Sequence, residues 1–288
     1  MIAALKILRF LFSFVFKLPT SAALYLTHLA GELTFWIARF TPLRGTTAKN
    51  IKRVFPKLDG EQLADRLLRN VGLAIFELLS VPFFGTVHFE RLCRIEGRAN
   101  LDLALAKRQG VLFLLMHTGN YELTPPLLSS LGYRFNSVLK ATDDPLFALL
   151  NQSRGYKGGK LINVLEVDMY RESMKALGRN EIVALLIDTG ALEGRNEMIT
   201  FLGRPVPVAT GWLTLAERSG AAVLPAYSKR EGDKIVLHIG EPLHIYRDNR
   251  DEVKRQVGQF YEAFIQAHPE QWAIFLNTHE VNRMLEGK

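Results

Sequence analysis

The stretch VLFLLMHTGNYELTPPLL, residues 111–128, decides the fold of this chain. Six apolar residues run into His117, Gly119 follows, and Glu122 lies five positions beyond the histidine. A continuous apolar run of this length is typical of a strand buried on both faces of a parallel sheet. Gly119 permits a tight turn, and a helix can begin after it, with Glu122 in the first turn where a carboxylate is favoured. The stretch therefore predicts a strand, a turn and a helix of an α/β sheet.

Short apolar runs alternate with helical patterns on both sides of this stretch. Upstream, apolar residues at helical spacing predict a helix over 61–80. Downstream, the predicted elements are strand 135–139, a helix near 144–151, strand 161–165, a helix near 169–178, strand 182–187, a helix over 210–219, the strands AAVLPAYS and KIVLHIGEP, and a closing helix from about 249 to 267. This rhythm predicts an α/β fold with a mixed, largely parallel wound sheet flanked by helices.

Composition narrows the class of protein. A chain of 288 residues with 48% hydrophobic residues can bury a sizeable core, and the formal net charge of +7 favours anionic partners. Cys93 is the single cysteine, which excludes an intrachain disulfide and suits a reducing compartment. The sequence has no zinc-finger pattern, no RNP-like aromatic pattern and no long basic run, so no nucleic-acid partner is expected.

The first forty residues are unusually rich in Leu, Phe and Ala, and Lys6, Arg9 and Lys17 interrupt their apolar opening. No small-residue cleavage site follows, which argues against a removable signal peptide. Apolar faces interleaved with basic residues favour helices that lie in the headgroup zone of a membrane, although a spanning helix and a simple cover for the core are alternatives. We therefore divide the chain into membrane-associating helices over 1–42 and an α/β domain over 43–288.

His117 lies at the predicted end of a strand, where open α/β sheets place ligand sites. A carboxylate that accepts a hydrogen bond from one imidazole nitrogen leaves the other nitrogen to take a proton from a hydroxyl. Glu122 is the expected carboxylate, and the pair would act as a general base. No Gly-x-Ser-x-Gly motif is present and Cys93 lies elsewhere, so direct attack by a substrate hydroxyl on an activated ester is favoured over a covalent intermediate. Pairs at this spacing also arise by chance.

Further candidates lie downstream. Gly203, Arg204 and Thr210 precede a predicted helix and could place backbone N–H groups near a phosphate or thioester oxygen, although a helix cap has the same pattern. Lys229 and Arg230 follow a predicted strand and could meet an acidic carrier protein or lipid phosphate, although a solvated turn is the commoner fate of such a pair. The remaining histidines show no metal-binding spacing, so no metal is expected.

The chain resembles the late acyltransferases of lipid A biosynthesis. HTGNYE matches the histidine, four residues, acidic pattern of glycerolipid acyltransferases, and its form is similar to that of the lipid A enzymes. Other segments on both sides of this motif also match, in the order that the family has them: KRVFP (52–56), RGYKG (154–158), LLID (185–188), the segment 201–230 and HPEQW (268–272). The resemblance implies transfer of a fatty acyl group from acyl carrier protein to a hydroxyl of a lipid A precursor or a similar anionic saccharide lipid. The sequence leaves coenzyme A open as the alternative donor. It also implies the cytoplasmic face of the bacterial inner membrane as the location, and no cofactor beyond the thioester co-substrate.

By position, the resemblance implies that His117 is the general base and Glu122 its partner. It implies that Asn120 helps to hold the turn, that Arg154 braces the active-site carboxylates or an acceptor phosphate, and that Asp188 is the family's acidic residue. Thr189 follows Asp188 where the family has glutamine, which leaves the acceptor open. Acylation of a lysophospholipid or another glycolipid is one alternative, and a non-catalytic membrane lipid-binding protein is another.

Overall fold

The computed structural model describes residues 10–140, 145–189 and 196–286. The basic residues Lys6 and Arg9, the first residue of the helix predicted near 144–151, and most of the loop after Thr189 lie outside these ranges. Nine strands are described: β1 (Cys93–Glu96), β2 (Val111–Leu115), β3 (Phe135–Leu139), β4 (Lys160–Asn163), β5 (Ile182–Leu186), β6 (Asn196–Phe201), β7 (Arg204–Ala209), β8 (Ala222–Glu231) and β9 (Lys234–Ile239).

Eleven α-helices with described bounds surround the strands. They are α1 (Thr20–Arg39), α2 (Pro42–Val54), α3 (Gly60–Ser80), α4 (Thr86–Leu92), α5 (Arg98–Ala106), α6 (Thr124–Ser130), α7 (Pro145–Arg154), α8 (Met169–Gly178), α9 (Gly211–Ser219), α10 (Arg250–Ala267) and α11 (Thr278–Glu286). Residues 10–15 are also helical.

Seven strands form one mixed sheet in the order β1-β9-β8-β2-β5-β3-β4. All neighbouring pairs are parallel except β8 and β9, which form an antiparallel hairpin. Strand β2 lies near the centre and is fully buried, as its continuous apolar sequence predicts. The α/β class with a largely parallel sheet flanked by helices is therefore confirmed.

The side chains of β2 alternate between two hydrophobic cores, one on each face of the sheet. Leu112 and Leu114 belong to a core covered by α8 to α11 and the start of α3, and Phe113 and Leu115 belong to a core covered by α4, α5 and α6. Because successive side chains of a strand point to opposite faces, β2 buries both sets at once. The sheet is thus held between two helical layers.

A two-stranded hairpin, β6 and β7, was not predicted. Strand β7 contains Pro205 and Pro207, and a proline weakens the strand pattern because it cannot donate a ladder hydrogen bond. Both prolines lie in a strand that pairs on one side only, within the described residues, so the missing N–H groups are tolerated. The short strand β1 and the helices α2, α4, α5 and α11 were also not predicted.

The N-terminal helix α1 packs along α3. The two helices approach closely at Gly31 and Gly72, where a Cβ on Gly72 would lie 2.7 Å from the carbonyl oxygen of Gly31. The opposite face of α1 exposes large apolar side chains at helical spacing: Tyr25, Leu29, Leu33, Trp36 and Ile37. Among the described residues, every helix is too short or too polar to cross a lipid bilayer. The division at residue 42 and the membrane association of the N-terminal helices stay predictions.

Candidate active site

His117 and Asp188 meet because β2 and β5 are parallel neighbours in register. Leu115 of β2 pairs with Leu186 of β5, and each of the two polar residues lies two positions beyond its strand's last residue. Parallel strands end at the same edge of a sheet, so both side chains emerge at the same level. The strand register therefore brings together two groups that are 71 positions apart in the sequence.

Asp188 is held by three donors and holds His117 in turn. Nδ1 of His117 donates to Oδ1 of Asp188 at 2.7 Å, and the backbone N–H of His117 donates to Oδ2 at 2.9 Å. The indole N–H of Trp272 donates to Oδ2 at 2.8 Å. A carboxylate only accepts hydrogen bonds, so Nδ1 carries the proton and Nε2 of a neutral ring is the acceptor. The geometry is that of a general base with its orienting group.

The pair also sets the charge of the site. Burial lowers the pKa of His117, but the nearby Asp188 carboxylate outweighs it and the pKa ends above its ordinary value of 6.5. Burial raises the pKa of Asp188. The charge of the His117 imidazole and the hydrogen bonds that His117 and Trp272 donate to the carboxylate outweigh burial, and the pKa lies below its ordinary value of 3.8. Asp188 is therefore ionised at neutral pH and stabilises the proton that His117 takes up.

Glu122 does not occupy the place beside the imidazole that the sequence analysis gave it, because Asp188 does. The residues Tyr121–Leu123 form a single 3₁₀ turn that directs Glu122 toward the end of α7. There, Nε of Arg154 donates to one oxygen of the carboxylate at 2.7 Å and Nη2 donates to the other. Glu122 still contributes to the raised pKa of His117 through its charge. Arg154 therefore forms a bidentate ion pair with Glu122, and its role in an active site stays a prediction.

The turn that carries His117 is clamped by the segment after α10. The N–H of Gly119 donates to the carbonyl of Gln271 at 2.8 Å, and the N–H of Ala273 donates to the carbonyl of His117 at 2.7 Å. Gly119 has a φ of +54°, and a Cβ there would lie 2.4 Å from the carbonyl oxygen of Ser228. Only glycine fits this close approach of two backbones. The position of His117 therefore depends on a segment more than 150 residues downstream.

Asn120 also holds the turn, through a buried ionic cluster. Its Nδ2 donates to Oε2 of Glu77 at 2.6 Å, and Arg230 donates to both oxygens of the same carboxylate at 2.9 and 2.7 Å. Nε2 of His28 lies 2.9 Å from Oε1 of Glu77. Arg230 is 8% exposed, so it is a buried partner of Glu77 and not the surface contact for a carrier protein or lipid phosphate that the sequence suggested.

Two cavities lie at the carboxyl edge of the sheet, one on each face. The first is almost entirely apolar, with Ile199, Phe201, Val257 and Tyr261 in its walls and Asp188 at its border. The second is lined by apolar residues of β2, β3 and β5 together with Tyr121, Glu122 and Arg154. Both cavities are partly open to solvent. Either cavity offers an apolar surface next to an element that carries His117 or its partner.

The candidates in the segment 203–210 are not gathered at His117. Gly203 and Arg204 lie at the exposed turn of the β6–β7 hairpin, where the N–H of Leu202 donates to Glu262 of α10. Thr210 is buried at the start of α9. The described hydrogen bonds of His117 and Asp188 include none of these three candidates.

Sequence reasoning missed the contributions of Glu77, Trp272 and Arg283. Glu77 stands alone among apolar residues in LAIFELLSV, and a single charge in such a run signals a buried, paired group. Trp272 ends the HPEQW segment, which matched the acyltransferase family but to which the sequence analysis assigned no function. Arg283 of α11 donates to the carbonyl of Asp188 at 3.1 Å and had no signal in the sequence. Within the described residues, no cluster of three or more His, Cys, Asp or Glu side chains could hold a metal ion.

The chain is similar in sequence to known acyltransferases. The family model for bacterial lipid A biosynthesis acyltransferases matches residues 4–279, nearly the whole chain. Phosphatidylinositol mannoside acyltransferases from two strains of Mycobacterium tuberculosis are each 24% identical to the chain over 235 residues. The matched region covers 78% of this chain and 73% of each relative.

Proposed function

The chain belongs to the bacterial lipid A biosynthesis acyltransferase family, and from that premise we propose that it transfers a fatty acyl chain from an acyl thioester to a hydroxyl of a lipid A precursor or a similar saccharide lipid. Family and relatives both support an O-acyltransferase that acts on a glycolipid. The observation that carries the proposed mechanism is the contact between His117 and Asp188 at the carboxyl edge of the sheet.

In the proposed reaction, Nε2 of His117 takes the proton of the acceptor hydroxyl as its oxygen attacks the thioester carbonyl. Asp188 stabilises the imidazolium that forms, because its carboxylate accepts the hydrogen bond from Nδ1. The tetrahedral intermediate then releases the thiolate, and His117 returns the proton to that sulfur. The products are an ester of the acceptor and a free thiol, and His117 ends neutral.

Glu122 and Arg154 have a supporting role in this proposal. Their ion pair is mostly buried, with side-chain exposures of 16% and 12%, and it borders the second cavity. A bidentate pair between a guanidinium and a carboxylate has a defined geometry, which gives the cavity a fixed wall. The negative charge of Glu122 adds to that of Asp188 in stabilising the protonated imidazole.

The second cavity suits the acyl chain better than the first. Asp188 borders the first cavity, and its carboxylate engages Nδ1 of His117, so an acceptor hydroxyl that attacks a thioester on that side faces the engaged nitrogen and not Nε2. The second cavity is bordered by Tyr121, whose ring packs edge-on against the imidazole with centroids 4.9 Å apart. We therefore place the acyl chain beside Tyr121, with its thioester within reach of the acceptor oxygen.

The donor and the location follow from charge and surface. Acyl carrier protein is acidic and suits a chain with a net charge of +7, although coenzyme A is also anionic. The exposed apolar face of α1 with Arg39 next to Trp36 suits the headgroup zone of a membrane that presents the acceptor. We propose the cytoplasmic face of the bacterial inner membrane as the working location.

A second acceptor class is supported by the named relatives. Their names specify a phosphatidylinositol mannoside, which is an anionic glycolipid with several hydroxyls. This chain has Thr189 after Asp188 where the lipid A enzymes have glutamine, and Asp188 is part of the site. A mannoside or lysophospholipid acceptor therefore stands as the alternative to the lipid A precursor.

The test is an acceptor panel with the full-length protein in mixed micelles. Two donors are used, acyl carrier protein and coenzyme A, each carrying a labelled fatty acyl group as a thioester. Each donor is combined in turn with a lipid A precursor, a phosphatidylinositol mannoside and a lysophospholipid, and the products are identified by mass spectrometry. Ester formation on the lipid A precursor supports the proposal. Ester formation confined to another acceptor reassigns the substrate, and absence of ester with every acceptor contradicts acyl transfer to these lipids.

A further inference from the structure

We propose that Glu77 is a positioning residue for the transfer reaction, acting through Asn120 and Arg230 on the turn that carries His117. This inference rests on the proposed function. Glu77 belongs to helix α3 and lies 40 positions before His117 in the sequence. Glu77 touches neither substrate nor His117 in this role.

The Glu77 carboxylate joins three separate parts of the chain. Its oxygens accept hydrogen bonds from Nδ2 of Asn120 in the catalytic turn and from both terminal nitrogens of Arg230 in β8. They also contact Nε2 of His28 in α1. Helix α3 therefore delivers one carboxylate to a point where the N-terminal helix, the sheet and the catalytic turn converge.

The cluster is buried, so it resists rearrangement. Glu77 is 0% exposed, Asn120 1% and Arg230 8%. An unpaired charge at such depth is strongly unfavourable, so the carboxylate and the guanidinium hold each other in one arrangement. Water has little access to replace a lost contact. Any shift of Glu77 must therefore be passed to its partners.

Two paths lead from Glu77 to His117. Asn120 lies three residues after the histidine and is fixed directly by the carboxylate. Arg230 exchanges backbone hydrogen bonds with the side chain of Gln271, and the carbonyl of Gln271 accepts the N–H of Gly119. The turn is thus held at two consecutive residues by groups that meet at Glu77.

The chain offers a matched control at the other edge of the sheet. Glu181 is 3% exposed and has the same kinds of partner, an asparagine (Asn136, at 3.1 Å) and an arginine (Arg179, at 2.9 and 3.0 Å). It immediately precedes β5, so it lies at the amino end of the strand whose carboxyl end leads to Asp188. The side chain of Arg179 is 45% exposed, so this cluster is less buried than that of Glu77, and loss of the Glu181 charge perturbs it without touching the catalytic turn.

The experiment compares E77Q, N120A and E181Q by turnover per folded molecule and by the NMR signals of His117 in protein with labelled histidine. Folded fractions are measured by circular dichroism so that loss of stability is separated from loss of positioning. We expect E77Q to lower kcat by about tenfold or more with the donor KM little changed, since small displacements of a reacting group are costly. E77Q and N120A should both move the His117 signal, and the double variant should lose no more than the worse single variant.

E181Q should lower stability and leave kcat and the His117 signal as in the parent protein. The inference is overturned if folded E77Q keeps both the parent turnover and the parent His117 signal, or if E181Q changes them as much as E77Q does. The NMR reading needs no acyl transfer. A protein that acylates none of the tested lipids therefore contradicts the proposed function, while the His117 signal still decides the role of Glu77.

Discussion

Nδ1 of His117 lies 2.7 Å from Oδ1 of Asp188, and this contact joins the ends of two parallel strands. It leaves Nε2 as the proton acceptor and separates two roles that the sequence had placed on one residue. Asp188 orients the imidazole, whereas Glu122 pairs with Arg154 at the wall of a cavity. The two carboxylates should therefore respond differently to substitution.

Replacement of His117 by alanine should remove the general base. We expect His117→Ala to lower kcat by about 10² to 10⁴ while the fold stays near intact, because general-base assistance contributes an amount of that order. Glu122→Gln should cost less, since the amide keeps the size of the side chain and Asp188 still orients the ring. Transfer rates measured on both purified variants check this order. Near-normal transfer by folded His117→Ala would contradict the assignment of His117 as the general base.

Replacement of Asp188 by asparagine should change both the rate and its dependence on pH. The reaction needs neutral His117, and Asp188 holds the pKa of the imidazole above 6.5, so the acid limb of kcat/KM should lie above pH 6.5 in the parent protein. In Asp188→Asn the carboxylate charge is lost while burial remains, so the limb should move to lower pH. The plateau rate should fall by about 10² or more, since the imidazolium loses its stabilising partner. An unmoved limb would contradict the assignment.

Gly119 should tolerate no side chain. Gly119→Ala adds a Cβ at 2.4 Å from the carbonyl of Ser228 as well as strain from a φ of +54°. We expect a loss of more than about 2 kcal/mol in the free energy of unfolding, together with loss of activity. Gly232→Ala is the matched control, because Gly232 has a φ of +57° and no atom within 4 Å of the added Cβ. Denaturant unfolding of both variants separates the steric clash from backbone strain.

Glu77 should make the protein sensitive to acid. Burial raises the pKa of Glu77, but Arg230 and His28 outweigh it and bring the pKa from 4.5 to about 2. A lowered carboxyl pKa stabilises the fold above pH 4.5, and that contribution is lost as the pH falls toward 2. At about 1.4 kcal/mol per pH unit the contribution is about 3 kcal/mol. Unfolding free energies at several pH values should fall less steeply over this range in Glu77→Gln than in the parent protein.

The exposed face of α1 and the residue that follows it should bind membranes. Ile37 is 71% exposed and Phe40 is 83% exposed, so burial of both in the headgroup zone would favour binding. The double variant Ile37→Asp with Phe40→Asp should weaken binding to vesicles that contain anionic phospholipid by about tenfold or more, because each apolar side chain contributes about 1.5 to 3 kcal/mol when buried. Leu103→Asp is the control, since Leu103 is 64% exposed on α5. Equal binding by both variants in sedimentation would exclude this face as the contact.

Local sequence determined most of the elements. Apolar runs and helical spacing predicted β2, β3, β5, α3 and α8 close to their observed bounds, because these patterns reflect which side chains one strand or helix turns toward the core. The same reasoning placed His117 at the carboxyl edge of the sheet, since a buried strand followed by Gly119 leaves little choice of where the histidine emerges. The β6–β7 hairpin was not predicted, because the two prolines of β7 weaken the sequence pattern of a strand.

Tertiary structure alone decided which groups act together. Spacing along the chain predicted Glu122 as the partner of His117, but direction and distance in space determine a hydrogen-bond partner. The parallel register of β2 and β5 places Asp188, and not Glu122, beside the imidazole. Trp272 and Glu77 reached the site in the same way, each from an element that is remote in the sequence. A strand's own residues determine its burial, whereas the partner at its end depends on which other strand lies beside it.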